Sequence, residues 1–361
     1  MEVNISLKDK TLHVPIIQGG MGVGISLSNL ASAAINQGCM GVISAAQPGY
    51  REEDFIKNTF NANIRALKKE VSKTREQSSS QGILAVNVMV AARRYKDYIK
   101  EISSMDIDCI ISGAGLPLDL PNLVSNKKIM LAPIVSSAKA AYLICKGWDK
   151  RYNTTPDFIV VEGPLAGGHL GFTYENLVSD TCESLEEILE GVLEVVKPYQ
   201  EKYNRDIPVF VAGGISTGHD IAYFMKKGAS GVQMATRFIA THECDADDRF
   251  KQAVLDCKKQ DIDFTKSPSK LHGRALKTNF MIDVNQRKNN IKVDQCVACL
   301  ATCNPLDTPY CITDALIQSV KGNVDQGIVF VGANAYEISE IVSVKELVDQ
   351  LKKELMIAYE T

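Results

Sequence analysis

No stretch of this sequence reaches the roughly 18 consecutive apolar residues that a membrane-spanning helix requires. The first ten residues, MEVNISLKDK, carry charges where a secretory leader would carry its apolar segment. Neither a membrane partner nor secretion is expected, and the protein is read as cytoplasmic. Charge of one sign is not in excess either: 40 Lys and Arg against 43 Asp and Glu leave a formal net charge of −3, which argues against nucleic acid or an anionic membrane surface as partner. Low-complexity segments and solenoid repeats are missing. So is a dinucleotide fingerprint, because the first strand candidate ends in Gln18-Gly19-Gly20-Met21-Gly22-Val23-Gly24, a poor fit to G-x-G-x-x-G opening a helix. What is present is an ordinary globular balance, 45% hydrophobic and 23% charged over 361 residues, enough for one large domain with an insertion or for two modest ones.

From residue 12 onward, short β-branched runs ending in polar or Gly-rich turns alternate with amphipathic helical stretches. The strand candidates are residues 14–18, 41–45, 83–89, 109–112, 129–135, 158–161, 209–212 and 231–235. Helical patterns cover 27–37, 52–76, 95–105, 138–145, 185–203 and 220–226 between them. Eight βα units with near-continuous apolar strands predict a parallel sheet closed into a (β/α)₈ TIM barrel. The rhythm breaks after the eighth strand. Residues 237–311 are expected to form a smaller, mostly helical insertion over the barrel mouth, with 1–236 and 312–361 making the barrel; 312–320 and 344–356 read as its last helices.

In such a barrel the chemistry sits at the C-terminal strand ends, and the loops after strands seven and eight commonly bind phosphate. Strand seven ends in Ala212-Gly213-Gly214-Ile215-Ser216 and strand eight runs through Gln233-Met234-Ala235-Thr236-Arg237. Glycine N–H groups, a hydroxyl and a cation together suit a phosphate dianion. Strand six leads into Glu162-Gly163-Pro164-Leu165-Ala166-Gly167-Gly168-His169, which places a histidine behind paired glycines at the barrel mouth. Polar groups interrupt other strand ends: Gly20, Met21 and Gly22 follow strand one, Asn87 lies in strand three, and Ser112-Gly113-Ala114-Gly115 ends strand four. A buried amide needs a hydrogen-bond partner, in the protein or in a ligand. A planar, hydrogen-bonding cofactor with one phosphate tail would satisfy the whole set.

The motifs PIIQGGMGVG, AVNVM, ISGAG, VEGPLAGGHLG, VAGGIS and GVQMATRF, in that order over residues 14–240, resemble those of the FMN-dependent nitronate monooxygenases, also called 2-nitropropane dioxygenases, and of the related FMN-dependent enoyl-ACP reductases. The resemblance implies a TIM barrel holding FMN. By position it assigns Gly20, Met21, Gly22, Asn87, Glu162, Gly167 and Gly168 to the flavin, and Gly213, Gly214, Gln233, Met234, Ala235 and Thr236 to its ribityl and phosphate groups. His169 matches the family's active-site histidine. Two positions depart from the pattern: Glu162 stands where Gln is frequent, and Ala235 where Gly is frequent. Residues 241–311, which would shape the substrate pocket, match weakly.

Ten cysteines in a cytoplasmic chain point to thiols, metal ligands or catalytic groups over disulfides. Cys296, Cys299, Cys303 and Cys311 form C-x₂-C-x₃-C-x₇-C, a spacing open to Zn²⁺, to an iron–sulfur cluster, or to buried free thiols. Three functions compete. The first is oxidation of alkyl nitronates by O₂ to carbonyl compounds and nitrite, with His169 stabilising the anion or acting as base on a neutral nitroalkane. The second is NAD(P)H-dependent enoyl-ACP or enoyl-thioester reduction, favoured by the basic stretch Lys270, His272, Arg274 and Lys277, which would meet acyl carrier protein or nucleotide phosphates. The third is a non-enzymatic flavin and thiol redox sensor.

Overall fold

The computed structural model describes residues 4–79, 82–286, 293 and 295–360. The chain opens with a hairpin, β1 (Ile5–Leu7) and β2 (Lys10–Leu12), paired antiparallel. Then come β3 (Ile16–Gln18), β4 (Gly41–Ser44), β5 (Leu84–Met89), β6 (Cys109–Gly113), β7 (Met130–Val135) and β8 (Ile159–Glu162). A short strand, β9 (Gly168–Leu170), lies apart; β10 (Val209–Ala212) and β11 (Gly231–Met234) complete the parallel set. The eight parallel strands follow the order β3-β11-β10-β8-β7-β6-β5-β4. Bonds from Gln18 N–H to Met40 O (2.9 Å) and Met40 N–H to Ile16 O (3.1 Å) join the two ends, so the sheet closes into the expected barrel.

Alternation along each strand sorts the side chains. Ile17, Val42, Ala85, Ile111, Ala132, Val160 and Phe210 point inward to one apolar cluster, which the hairpin residues Ile5, Leu7 and Leu12 join at one end. Ile16, Ile43, Val86, Ile110, Val161 and Val211 point outward to the helices. Phe158 and Phe210 meet edge to face at 5.4 Å inside the barrel. The observed strands lie within two residues of the expected bounds. The helix 52–76 begins later, at Thr59–Gln77, because residues 52–58 form turns closed by Phe55 N–H to Glu52 O and Lys57 N–H to Asp54 O (both 3.0 Å).

After β11 the chain forms helix Asp248–Leu255, a hairpin of β12 (Ile262–Lys266) and β13 (His272–Leu276), and helix Asn279–Gln286. This expected helical stretch thus also carries a hairpin, and β13 pairs with β9 through His272↔Leu170, Gly273↔His169 and Arg274↔Gly168. Helices Ile312–Val320 and Val344–Glu360 follow. The latter packs on helix Gly218–Lys226, where Gly218 permits backbone contact and its N–H donates to Glu354 (2.7 Å). No helix among the described residues is long and apolar enough to cross a membrane.

Candidate active site

The C-terminal ends of the barrel strands open into a cavity of about 350 Å³. Its floor is the strand-one loop with Gly20, Met21 and Gly22, together with Asn87 from β5. One wall is Glu162 with Gly167, Gly168 and His169, and the far end is Gly213, Gly214, Gln233, Met234, Ala235 and Thr236. All residues expected to hold a planar cofactor, and the candidate catalytic histidine, therefore face one space. Gln18, also polar at a strand end, does something else. Its Nε2 donates to Gly19 O (2.6 Å) and Ser26 Oγ (3.0 Å) while its Oε1 accepts from Val42 N–H (3.0 Å), so it stitches the β3–β4 seam.

The far end gathers backbone N–H groups and a hydroxyl. Gly213 and Gly214 have φ of +97° and +78°, a region that favours glycine, and a Cβ on either would press on Ala166 or Leu165. Thr236 Oγ1 accepts from Gly332 N–H (2.9 Å), which leaves its own proton for a ligand. Asn334 Nδ2 donates to Gly214 O (3.1 Å) and Ala333 N–H to Leu165 O (3.0 Å), so residues 332–334 lace the two glycine loops together. Arg237, the expected cation, lines the cavity but is held by Ser216 O (3.2 Å) and Gln350 Oε1 (3.4 Å). Gln233 Oε1 is buried without any hydrogen-bond partner. An orphaned amide oxygen of this kind costs about 1–3 kcal/mol, and a ligand N–H would relieve it.

Two titratable groups are displaced by burial. Glu162 is held up to about 8 and is a neutral carboxyl at pH 7, with one O–H donor and one carbonyl acceptor, the same pair an amide offers. The register Glu162↔Ala212↔Gln233 sets it in one layer with Gln233, one strand removed. His169 is pushed down to about 4 and is a neutral imidazole. Its Nε2 lies 2.6 Å from Ser267 Oγ and its ring is tilted against Phe330 at 5.1 Å.

Sequence reasoning missed the wall formed by Phe330, Val331, Gly332 and Asn334. The signal was present: 328–331 is the apolar run Ile-Val-Phe-Val ending in glycine, the same pattern as the barrel strands. Gly167 lets this wall approach, since a Cβ there would stand 2.4 Å from the Val331 carbonyl carbon.

Among the described residues, Cys296, Cys299, Cys303 and Cys311 do not meet in a group that could hold a metal ion. The reason lies in the backbone. Arg93 N–H donates to Cys299 O and Ala301 N–H to Ala91 O, both pinning the segment to the loop after β5. Cys299 and Cys303 then pack with Leu300, Tyr310 and Met89, while Cys296 stays exposed. Burial, with a smaller push from the neighbouring thiols, holds the Cys299 thiol up to about 11. Only Cys299 of the four lines the cavity. The basic stretch is dispersed as well: Arg274 is buried and donates to Pro164 O and Ala166 O (2.7 and 2.6 Å), Lys277 pairs with Asp263, and His272 stacks on Tyr174. None of these three lines the cavity.

Comparison with known proteins agrees with this geometry. The family model for nitronate monooxygenase matches residues 5–354. A probable nitronate monooxygenase of Bacillus subtilis (strain 168) is 24% identical, over 98% of this chain and 99% of its own. Another from Staphylococcus aureus (strain Newman) is also 24% identical, over 78% and 80%. Among solved structures, FabK from Thermotoga maritima superposes with a TM-score of 0.72 at 23% identity, covering 97% of this chain and 95% of that one. A nitroalkane oxidase from Streptomyces ansochromogenes gives 0.73 at 19%, covering 96% and 97%. At these identities the structural likenesses bear on the fold, whereas the match along nearly the whole sequence identifies the chain as a member of the nitronate monooxygenase family.

Proposed function

We propose that this enzyme binds FMN and oxidises alkyl nitronates with O₂ to carbonyl compounds and nitrite. Gly213, Gly214 and Thr236 would hold the phosphate, Gln233 and Glu162 would meet the polar edges of the ring system, and Asn87 with the Gly20–Gly22 loop would lie along it. The orphaned Gln233 Oε1 supports this fit, because it asks for a ligand donor. When bound, FMN supplies the electron acceptor for the chemistry. Residues 237–311 would act as a cap over the reacting face.

The observation that carries the reading is the cavity's charge. Beside the glycine cradle stands a neutral imidazole, and the wall around it is apolar, with Phe330 and Ala166. The cavity's two cations are engaged: Arg237 on Ser216 O, and Arg94 on Asp97 (2.7 Å) and over the Phe60 ring at 3.7 Å. Arg274 and Lys277, which spoke for nucleotide phosphates or an acidic carrier protein, are bound elsewhere. Such a site suits a small anion with an apolar substituent better than a pyridine nucleotide. His169 would hydrogen-bond the nitronate oxygens, and closure by the 330–334 wall would exclude water. The test is direct. FMN-loaded protein given an alkyl nitronate in air should consume O₂ and release nitrite. No nitrite, combined with rapid anaerobic bleaching by NAD(P)H and consumption of an enoyl thioester, would overturn the proposal in favour of the reductase.

A further inference from the structure

His169 meets, through its Nε2, a pair of serines on the turn between β12 and β13. Ser267 Oγ lies 2.6 Å from His169 Nε2. A neutral imidazole has one donor and one acceptor nitrogen, so the Ser267 bond decides which nitrogen faces the ligand as donor. Ser267 Oγ already accepts twice, from Ser269 N–H (3.3 Å) and from Ser269 Oγ (3.1 Å). Ser269 Oγ is in turn oriented by Leu271 N–H (3.3 Å). A hydroxyl oxygen has two acceptor sites and one proton. With both acceptor sites filled, Ser267 can offer His169 only its O–H. The separation agrees, since 2.6 Å is short for an N–H donor and ordinary for an O–H donor. Tyr310 also interacts with Ser267, but its phenol donates to Lys266 O (3.0 Å), and an imidazole nitrogen at 2.6 Å is a stronger acceptor for the serine proton than a phenol oxygen.

We infer that Ser267, held by Ser269, is a positioning residue that fixes His169 with its proton on Nδ1, so that the imidazole meets the ligand as a hydrogen-bond donor and not as a base. The inference deepens the proposed site, and rests on His169 facing the substrate there. Ser267 reaches this place because β9 pairs with β13, which sets the adjoining turn against the histidine 98 positions earlier in the chain. The consequence for specificity is that the preformed anion is the fitting substrate. A neutral carbon acid would need a proton acceptor, and the nitrogen that could accept is already bonded to Ser267.

The test uses FMN-loaded protein labelled with ¹⁵N-histidine, with the His169 signals identified by their loss in His169→Gln. At neutral pH the long-range ¹H–¹⁵N pattern should show a protonated Nδ1 and an unprotonated Nε2. Ser267→Ala should give mixed tautomers and lower kcat/KM on nitronate by about tenfold, the worth of one hydrogen bond, while Ser267→Thr should restore both. Ser269→Ala, which frees an acceptor site on Ser267, should also mix the tautomers, and it keeps the test open should Ser267→Ala fail to fold. A parent protein protonated at Nε2, or a tautomer unchanged in both alanine variants, would overturn the inference. The signal is read without turnover. A protein that shows the Nδ1–H form yet fails to oxidise nitronates therefore refutes the proposed reaction and leaves this inference standing.

Discussion

His169 shows how residue type and residue role part company. The sequence places a histidine behind two glycines at a strand end, and the structure sets it on the cavity wall. Whether it is base or donor was not legible, because the answer lies in burial and in Ser267, far along the chain. Burial holds it near 4, so over pH 5 to 8 it stays neutral, and it is too weak a base to be matched to work near neutrality. For His169→Ala we expect FMN content near that of the parent and a fall in kcat/KM on nitronate of about 10- to 150-fold, the loss of one hydrogen bond to a charged group at about 1.5–3 kcal/mol. Nitronate turnover equal to the parent's would remove the histidine from the mechanism. Thr236 makes a parallel case at the phosphate end. Thr236→Val removes both the ligand donor and the acceptor of Gly332 N–H, and should weaken FMN, measured by quenching of its fluorescence, by a similar factor.

At the scale of elements, what the sequence shows depends on how local the cause is. The eight strands and the long helices were legible because apolar periodicity and capping act within a few residues: Leu185–Tyr203, for instance, begins at a Ser184–Glu187 capping box. Strand β9 and the 330–334 wall were not, because each is stabilised by partners far along the chain: β9 by β13, and the wall by Arg274, Ala275, Thr236 and Gly214. Where the clustered cysteines go is non-local in the same way, since pairing with residues 91–93 places their segment. The wall's dependence on a single glycine can be tested. Gly167→Ala drives a methyl into the Val331–Gly332 backbone, so the wall must move and the Gly332–Thr236 bond should break. Gly168→Ala meets nothing within 4 Å and suffers only from its φ of +75°, a strain of roughly 1–2 kcal/mol. Both variants should keep the far-ultraviolet circular dichroism of the barrel. Gly167→Ala should lose most of its FMN and Gly168→Ala much less; equal retention would show that the wall does not shape the cofactor site.

For the whole molecule, these displaced groups impose a pH dependence on stability whose sign differs by group. Glu162 is raised when folded, to about 8, so its contribution is complete below the unfolded value near 4.3 and is lost as pH climbs through about 8. Asp245, buried at the N-terminus of helix Ser28–Asn36, is raised to about 6 and acts in the same direction over a lower range. His169 is lowered, to about 4, so its contribution is present above about 6.5 and is lost as pH falls through about 4. Between about pH 4.5 and 6 the two carboxyls lower stability as pH rises and the histidine raises it, which leaves a net fall approaching one proton's worth, about 1 kcal/mol per pH unit. Above about 7.5 the histidine and Asp245 terms are flat, and the buried thiols begin to lower stability, because thiols of the unfolded chain titrate near 8.5 while burial holds Cys299 up to about 11. Glu162 is then the one strongly displaced group of the cavity whose charge changes. In the cofactor-free protein Glu162 should therefore lower stability from pH 6.5 to 7.5 by up to about 1.4 kcal/mol per pH unit, the limit for one proton. FMN affinity should fall in step above pH 7.5, as the neutral donor becomes an anion with no cation beside it. Glu162→Gln keeps the shape and both hydrogen-bonding functions but cannot ionise, so it should remove this share of the slope in urea midpoints between pH 6.5 and 7.5 and flatten FMN binding followed from pH 6.5 to 8.5. If parent and variant run parallel across that range, Glu162 is already ionised at pH 7 and a charged carboxylate, not a neutral amide mimic, faces the flavin site.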